Sequence, residues 1–221
     1  MFPLEYAQRR KLHLFRVTTR KEIQIPRKLF HMGASSLTAF LYLHVIHSQT
    51  LALTLLGIGG GIIILLDLLR LKIPSFNRFS LRVVGSLARR EEVNTPSAMI
   101  SCVLASFLAI AVFPPPIAAL ALLLLAYSDP AASVVGILFG KERLWNGKSI
   151  QGSLACFCVS FVVILIFISN QHLVHTNFLP IALIGATATT LAELSIIKVD
   201  DNFSVPIFGG AAVWWALSFL G

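Results

Sequence analysis

One aspartate, Asp129, stands inside an apolar run near 116–138. At 1.5 Å per residue it lies roughly 10 to 15 Å in from one end of that run. A carboxylate in hydrocarbon is expensive and by default marks a functional site; the alternative is a structural ion pair with a Lys or Arg of a neighbouring helix. Ser133, Gly136 and Gly140 follow at i+4, i+7 and i+11, on one helical face. Small residues there let a ligand approach closely, or simply let a second helix pack. Pro130 removes a backbone donor beside the carboxylate, which favours a kink.

The loop beyond reads Gly140-Lys-Glu-Arg-Leu-Trp-Asn-Gly-Lys-Ser149, with Gly152 after it. It is not a P-loop: Glu142 stands where a glycine is needed, and no strand precedes it. Its glycines free backbone N–H groups, Lys148 supplies a point charge, and Ser149 supplies a hydroxyl at the start of a helix. That combination suits a phosphate. A basic glycine loop is also an ordinary topology signal. Further on, Asp200-Asp201-Asn202 precedes Pro206. Asp and Asn are favoured N-caps and Pro is common in a first turn. One cap needs one such residue, however. Two adjacent carboxylates and an amide also suit Mg²⁺, with water and phosphate completing its shell. Asp67 has Arg70 one turn later, so it is either functional or half of an intrahelical pair.

The elements that carry these residues follow from composition. The chain has 221 residues, 56% of them hydrophobic and 13% charged. Soluble domains carry about 25% charged residues. Uncharged runs of spanning length occur at about 29–46, 51–69, 96–113, 116–138, 153–169, 178–198 and 204–220. The expected fold is an all-α polytopic membrane bundle of about seven helices. A basic segment, 1–28, precedes a single transmembrane domain, 29–221. The first span starts too late for a secretory signal, and Glu5 and Glu22 disfavour a transit peptide. Cys102, Cys156 and Cys158 all lie in apolar runs and are read as small hydrophobes.

Charge placement sets the expected orientation. Segment 1–28 holds eight Lys and Arg, segment 70–95 six, segment 139–152 three, and Lys198 closes the sixth span, which accounts for all 18. The alternate gaps hold none. Positive residues stay cytoplasmic, so the N-terminus is expected inside and the C-terminus outside. A net charge of +8 distributed this way fits a membrane surface and not nucleic acid. In 75–90, Phe76, Phe79, Val83 and Leu87 recur at helical spacing, while Arg78, Arg82 and Arg89 share another face. An amphipathic helix on the inner leaflet accounts for this, as does a loop helix packed on the bundle. His44 with His47, and His172 with His175, form two outer H-x-x-H pairs, a weak metal signal.

The motifs Arg27-Lys28-x-x-His31, Asp67-x-x-Arg70, Asp129-x-x-Ala132-x-x-x-Gly136-x-x-x-Gly140-Lys141, Asn146-Gly-Lys148-Ser149-x-x-Gly152-Ser153, Glu193 and Asp200-Asp201-Asn202-x-x-x-Pro206 occur in order over about 22–210. This set resembles the family of dolichol kinase, phytol kinase and CTP-dependent diacylglycerol kinase. Ser128 stands where the family usually has Gly. The resemblance implies a CTP-dependent kinase acting on the hydroxyl of a membrane lipid alcohol, with its site facing the cytoplasm. The host membrane would be a plasma or inner membrane in a prokaryote, and the ER or a plastid membrane in a eukaryote. It implies that Asp200 and Asp201 hold Mg²⁺ and that Lys148 and Ser149, with loop N–H groups, cradle the CTP phosphates. Asp129 would accept the hydroxyl proton or complete the metal site. Arg27, Lys28 and His31 would bind phosphate or shape the nucleotide site, and Glu193 would orient a basic group. Asp67, Arg70, Ser133, Gly136, Gly140, Lys141, Gly152 and Asn202 would complete the substrate and nucleotide sites.

Two other classes are weighed against this. A phosphatidate cytidylyltransferase (CDP-diacylglycerol synthase) has a lysine-rich loop similar to 139–153, but its long C-terminal signature is absent. A small transporter binds at the midplane and often shows inverted repeats. No repeat is visible here, and the charge is one-sided.

Overall fold

The computed structural model describes residues 22–144, 147–174, 176–194 and 200–221. The expectations for residues 1–21, Asn146, His175 and Lys198 lie outside the described residues. Eight α-helices make up the described fold: α1 (Ile25–His44), α2 (Gln49–Lys72), α3 (Pro74–Val84), α4 (Ala98–Val112), α5 (Pro115–Leu138), α6 (Ile150–Asn170), α7 (Phe178–Glu193) and α8 (Asp201–Leu220). A helix occupies each of the seven expected spans. By length and composition α2, α5, α6 and α8 are able to cross a membrane; α4 and α7 are apolar but shorter, at 15 and 16 residues. The protein is an all-α membrane bundle.

Local chemistry starts the helices. Pro26, Pro74 and Pro115 sit in first turns, where a missing N–H is harmless. Ser48 caps α2 by accepting from the Leu51 amide at 3.3 Å. The centre of the bundle is α5, whose residues from Ile117 to Leu122 are fully or almost fully buried. Its small and aliphatic side chains let α1, α4, α6 and α8 pack around it, while α7 fits between α6 and α8. At the periphery α2 leans on α4 and α3. Leu51, Leu55, Ile58 and Ile62 point outward, about half exposed, as residues facing lipid tails do.

One expected element is shorter than its periodicity. The helix in 75–90 stops at Val84, and the chain turns through short 3₁₀ segments at Gly85–Leu87 and Arg90–Val93. Glycine at the break is a poor helix former. Leu87 and Arg89 therefore leave the expected faces. On the helix that does form, Leu81 points inward, Asn77 donates to the Val93 carbonyl at 2.9 Å, and Phe79 and Val83 stay exposed.

Candidate active site

The polar residues collect where α1, α6 and α8 begin and α2, α5 and α7 end. The loop before α6 folds back on itself through an Arg143–Ser149 bridge and a Leu144 N–H bond to the Lys148 carbonyl at 2.7 Å. Gly147 turns it at φ 80°, a left-handed conformation that suits glycine. This hairpin aims Lys148 across the bundle. Its ammonium binds the Glu193 carboxylate at 2.9 Å, the Glu193 carbonyl, and Asp201 at 3.1 Å. Burial alone would lower the Lys148 pKa; the Asp201 and Glu193 charges outweigh it and raise the value, so the group stays cationic. Ser153 donates to the other Glu193 oxygen at 3.2 Å. Glu193 is thus paired with Lys148.

Asp200 caps α8. Its Oδ1 accepts from the Asn202 backbone at 2.9 Å and from the Asn202 amide at 2.6 Å. Burial and the neighbouring Asp201 charge raise its pKa despite these bonds. Asp201 occupies the first helical position and faces Lys148. Asp129, one helix away, lies within electrostatic reach of Asp201, Lys148, Arg89 and Glu193 but makes no hydrogen bond or ion pair with any described residue. Among the described residues no three His, Cys, Asp or Glu groups close on a metal-sized point. Asp129, Asp200 and Asp201 are therefore not a ready-made cage. They remain a chemically suitable set for Mg²⁺, which usually takes one or two carboxylates, water and substrate phosphate oxygens.

On the facing side, Arg27 grips Glu92 with two hydrogen bonds of 2.7 Å and donates to the Leu87 carbonyl at 3.0 Å. Lys28 donates to Ser133 at 2.7 Å, tying α1 to the helix of Asp129. His31 Nδ1 stands 3.6 Å from the Cys102 sulfur.

Several of the expected site residues make structural contacts. Arg70 is buried, binds Asp67 at 2.7 Å, and donates to the carbonyls of Glu92 and Thr95 at 2.9 Å each. Asp67 also accepts from the Ser97 amide at 2.9 Å. The pair fixes the loop that delivers Glu92 and Arg89. Ser149 caps α6 by accepting from Gly152 N–H at 3.1 Å, and the Leu144, Gly147 and Ile150 amides are bonded within the loop, so these N–H groups are not open to phosphate. The small-residue face of α5 is closed by packing. A Cβ on Gly140 would lie 2.7 Å from the Ser149 Cβ, and one on Gly152 would lie 2.7 Å from the Ala132 carbonyl. Lys141 is exposed on the loop, its amide bonded to Gln151 at 3.3 Å. Gly152→Ala is accordingly expected to cost about 1–3 kcal/mol through overpacking, visible as a lower midpoint in thermal unfolding of the detergent-purified protein. A midpoint equal to the parent's would show that the α5–α6 contact is slack.

The protein is similar to CTP-dependent diacylglycerol kinase 1 of Eremothecium gossypii, 29% identical over 216 residues, covering 89% of this chain and 68% of the relative. The enzyme of the same name from Saccharomyces cerevisiae is 28% identical over 204 residues, 83% of this chain and 70% of the relative. Phytol kinase of Synechocystis sp. is 31% identical over 113 residues, 48% of this chain and 46% of the relative. These relatives support the family of CTP-dependent diacylglycerol kinases and phytol kinases. No family model and no solved structure matches it.

In this chain, sequence patterns missed Glu92, Arg89 and Cys102 as neighbours of the site. Glu92 is 65 positions from its partner Arg27, and no local periodicity links the two. The one available signal was the Arg89-Arg90-Glu91-Glu92 cluster, whose acids stand in an otherwise basic inner segment.

Proposed function

We propose that this protein is a CTP-dependent lipid kinase that phosphorylates diacylglycerol at the cytoplasmic membrane surface. The observation that carries the reading is Asp129, a carboxylate on α5 with no hydrogen bond or ion pair among the described residues, within electrostatic reach of the Lys148–Asp201–Glu193 cluster. Diacylglycerol is preferred to a prenol because relatives of that name match most of the chain, whereas phytol kinase matches about half.

In the proposed reaction the lipid hydroxyl oxygen forms a bond to the γ-phosphorus of CTP. The bond from that phosphorus to the β–γ bridging oxygen breaks, and CDP departs with the electron pair. The hydroxyl proton passes to the Asp129 carboxylate. Such transfers depend on positioning and on neutralising phosphate charge. Lys148, Lys28 and Arg89 supply positive charge from three sides. When Mg²⁺ is bound, Asp200 and Asp201 would hold it, and it would neutralise phosphate oxygens. Asp200 and Glu193 keep Asn202 and Lys148 in place.

The test follows the label. CTP carrying ³²P at the γ position should transfer it to diacylglycerol, and CTP labelled at the α position should not. Label reaching lipid from the α position, with pyrophosphate released, would replace this reading with the cytidylyltransferase.

The proposed topology has seven spans with the N-terminus inside. Single cysteines replacing Arg143 and Thr176 should react with an impermeant maleimide from opposite faces of sealed vesicles, Arg143→Cys from the cytoplasmic face. Reaction of both from one face would refute the topology.

A further inference from the structure

Beside the acid cluster a cleft of about 460 Å³ runs between α1, α2 and α4, within the usual ligand range of about 300–1,000 Å³. It exists because consecutive helices diverge: α1 packs on α5, while α2 packs on α4. Its polar end is lined by Arg27, His31 and Asn202, next to the catalytic carboxylates, and its deep end by Leu56, Ile63 and Val103. The walls are open to the surroundings where Phe30, Ile63 and Leu66 line them, these being 49%, 38% and 46% exposed. At that depth the surroundings are lipid tails.

Two polar atoms on one face of α1 have no partner among the described residues. His31 Nε2 is buried and unbonded. Ser35, one turn on and only 7% exposed, lines the cleft with a hydroxyl that makes no hydrogen bond. The other cleft hydroxyls on these helices are occupied: Thr38 donates to Ala34 and Ser106 to Cys102, both at 2.8 Å. A buried polar group without a partner is costly, so His31 Nε2 points to a ligand with a polar atom at its depth, and Ser35, which lines the cleft one turn on, offers a hydroxyl to a second polar atom.

We infer that this cleft is the acceptor site, which a diacyl glycerolipid reaches sideways from the bilayer between α1 and α2. Its tails lie along Ile63 and Leu66. Its free hydroxyl sits at the His31–Asn202 end, where Asn202 directly follows Asp201. Ser35 Oγ donates to an ester carbonyl. One helical turn, about 6 Å, separates the two levels, and in diacylglycerol the ester carbonyls lie a few bonds from the hydroxyl. A prenol or phytol has no acceptor at the lower level and would leave Ser35 unbonded. The inference rests on the lipid-kinase reading for its chemistry, but occupancy of the cleft is separately measurable.

The experiment uses the full chain in nanodiscs. A diacylglycerol with a diazirine in mid-chain, irradiated without CTP, should crosslink to α1 and α2 around Ile63 and Leu66. In turnover, Ile63→Trp should lower the ratio of kcat/KM for dioleoylglycerol to that for dioctanoylglycerol about tenfold, the low end for a hydrophobic pocket that loses room for a methylene or two. Ser35→Ala should reduce the preference for dioleoylglycerol over its diether analogue about fivefold, the worth of one ordinary hydrogen bond. Label transfer to diacylglycerol with crosslinks elsewhere and both ratios unchanged would overturn the cleft alone. No transfer to any lipid alcohol would overturn the kinase reading, and the crosslink map would then decide the cleft by itself: adducts on α1 and α2 support it, adducts elsewhere sink it.

Discussion

Asp129→Asn should slow transfer by about 10²- to 10⁴-fold, the range for losing a positioned general base, while leaving the protein folded. The two halves of this expectation have separate grounds. Catalysis should fall because an amide does not take up the hydroxyl proton. Stability should hold because Asp129 makes no hydrogen bond or ion pair with the described residues, so asparagine of equal size removes no contact. It also removes a negative charge from the neighbourhood of Asp201 and Glu193, which acts in the stabilising direction. Steady-state rates and a thermal melt of the same sample measure both. A Mg²⁺ titration separates the two chemical roles. If Asp129 takes the proton, excess Mg²⁺ leaves the variant slow. If it completes the metal's shell, the Mg²⁺ requirement rises and the rate partly recovers at high concentration. A near-normal rate at ordinary Mg²⁺ would end any catalytic role for Asp129.

That experiment is informative because the chain keeps ordinary structural carboxylates for comparison. Asp67 and Glu92 are bonded to arginines and to backbone amides, so their replacement should cost folding before chemistry. The difference between the two kinds of acid was only partly legible in the sequence. Apolar runs and charge alternation located the helices and gathered the polar groups at one end, because burial and positive charge are properties of single segments. Asp67 and Arg70 were legible as neighbours for the same reason, being one turn apart. Hidden from any pattern was that the remaining Arg70 nitrogens reach the Glu92 and Thr95 carbonyls, more than twenty residues away. Likewise Lys28 and Ser133 meet across 105 positions.

Two sequence patterns each fit more than one physical state. A stripe of Gly136, Gly140 and Gly152 is needed wherever something approaches closely. A ligand and a neighbouring helix make the same demand, and here the Ser149 side chain is seated against Gly136 and Gly140. In 75–90 the helical period continues through Leu87 by residue type alone, although the backbone has already left the helix at Gly85. The turn is what brings Arg89 and Glu92 back to the site.

The second large effect is expected at that turn. Arg27→Ala should destabilise the protein by about 3–5 kcal/mol, the usual result of removing one partner of a buried ion pair. Both side chains are largely buried, 16% and 10% exposed, and two 2.7 Å bonds join them. The loss would leave Glu92 charged among α1, α4 and the 85–97 loop, and would also free the Leu87 carbonyl. Acidity gives a further handle. Burial alone would raise the Glu92 pKa; the Arg27 hydrogen bonds and charge outweigh burial and hold it below the ordinary glutamate range. A carboxyl depressed in this way stabilises the fold fully above its unfolded value of about 4.3, and the contribution disappears as pH falls through the lower folded value. In Arg27→Ala the largest of the influences opposing burial is lost, while the Arg89 backbone bond and charge remain, so Glu92 should take up its proton at a higher pH than in the parent. The parent should therefore lose stability more steeply than the variant between about pH 5 and pH 3. Replacing both residues, as Arg27→Met with Glu92→Leu, should recover much of the stability, because a well-packed apolar pair often matches a buried ion pair. Unfolding midpoints for the four proteins at pH 7 and pH 4 supply the whole cycle. If Arg27→Ala melts with the parent at both values, the pair does not hold the turn, and the placement of Arg89 beside Asp129 needs another cause.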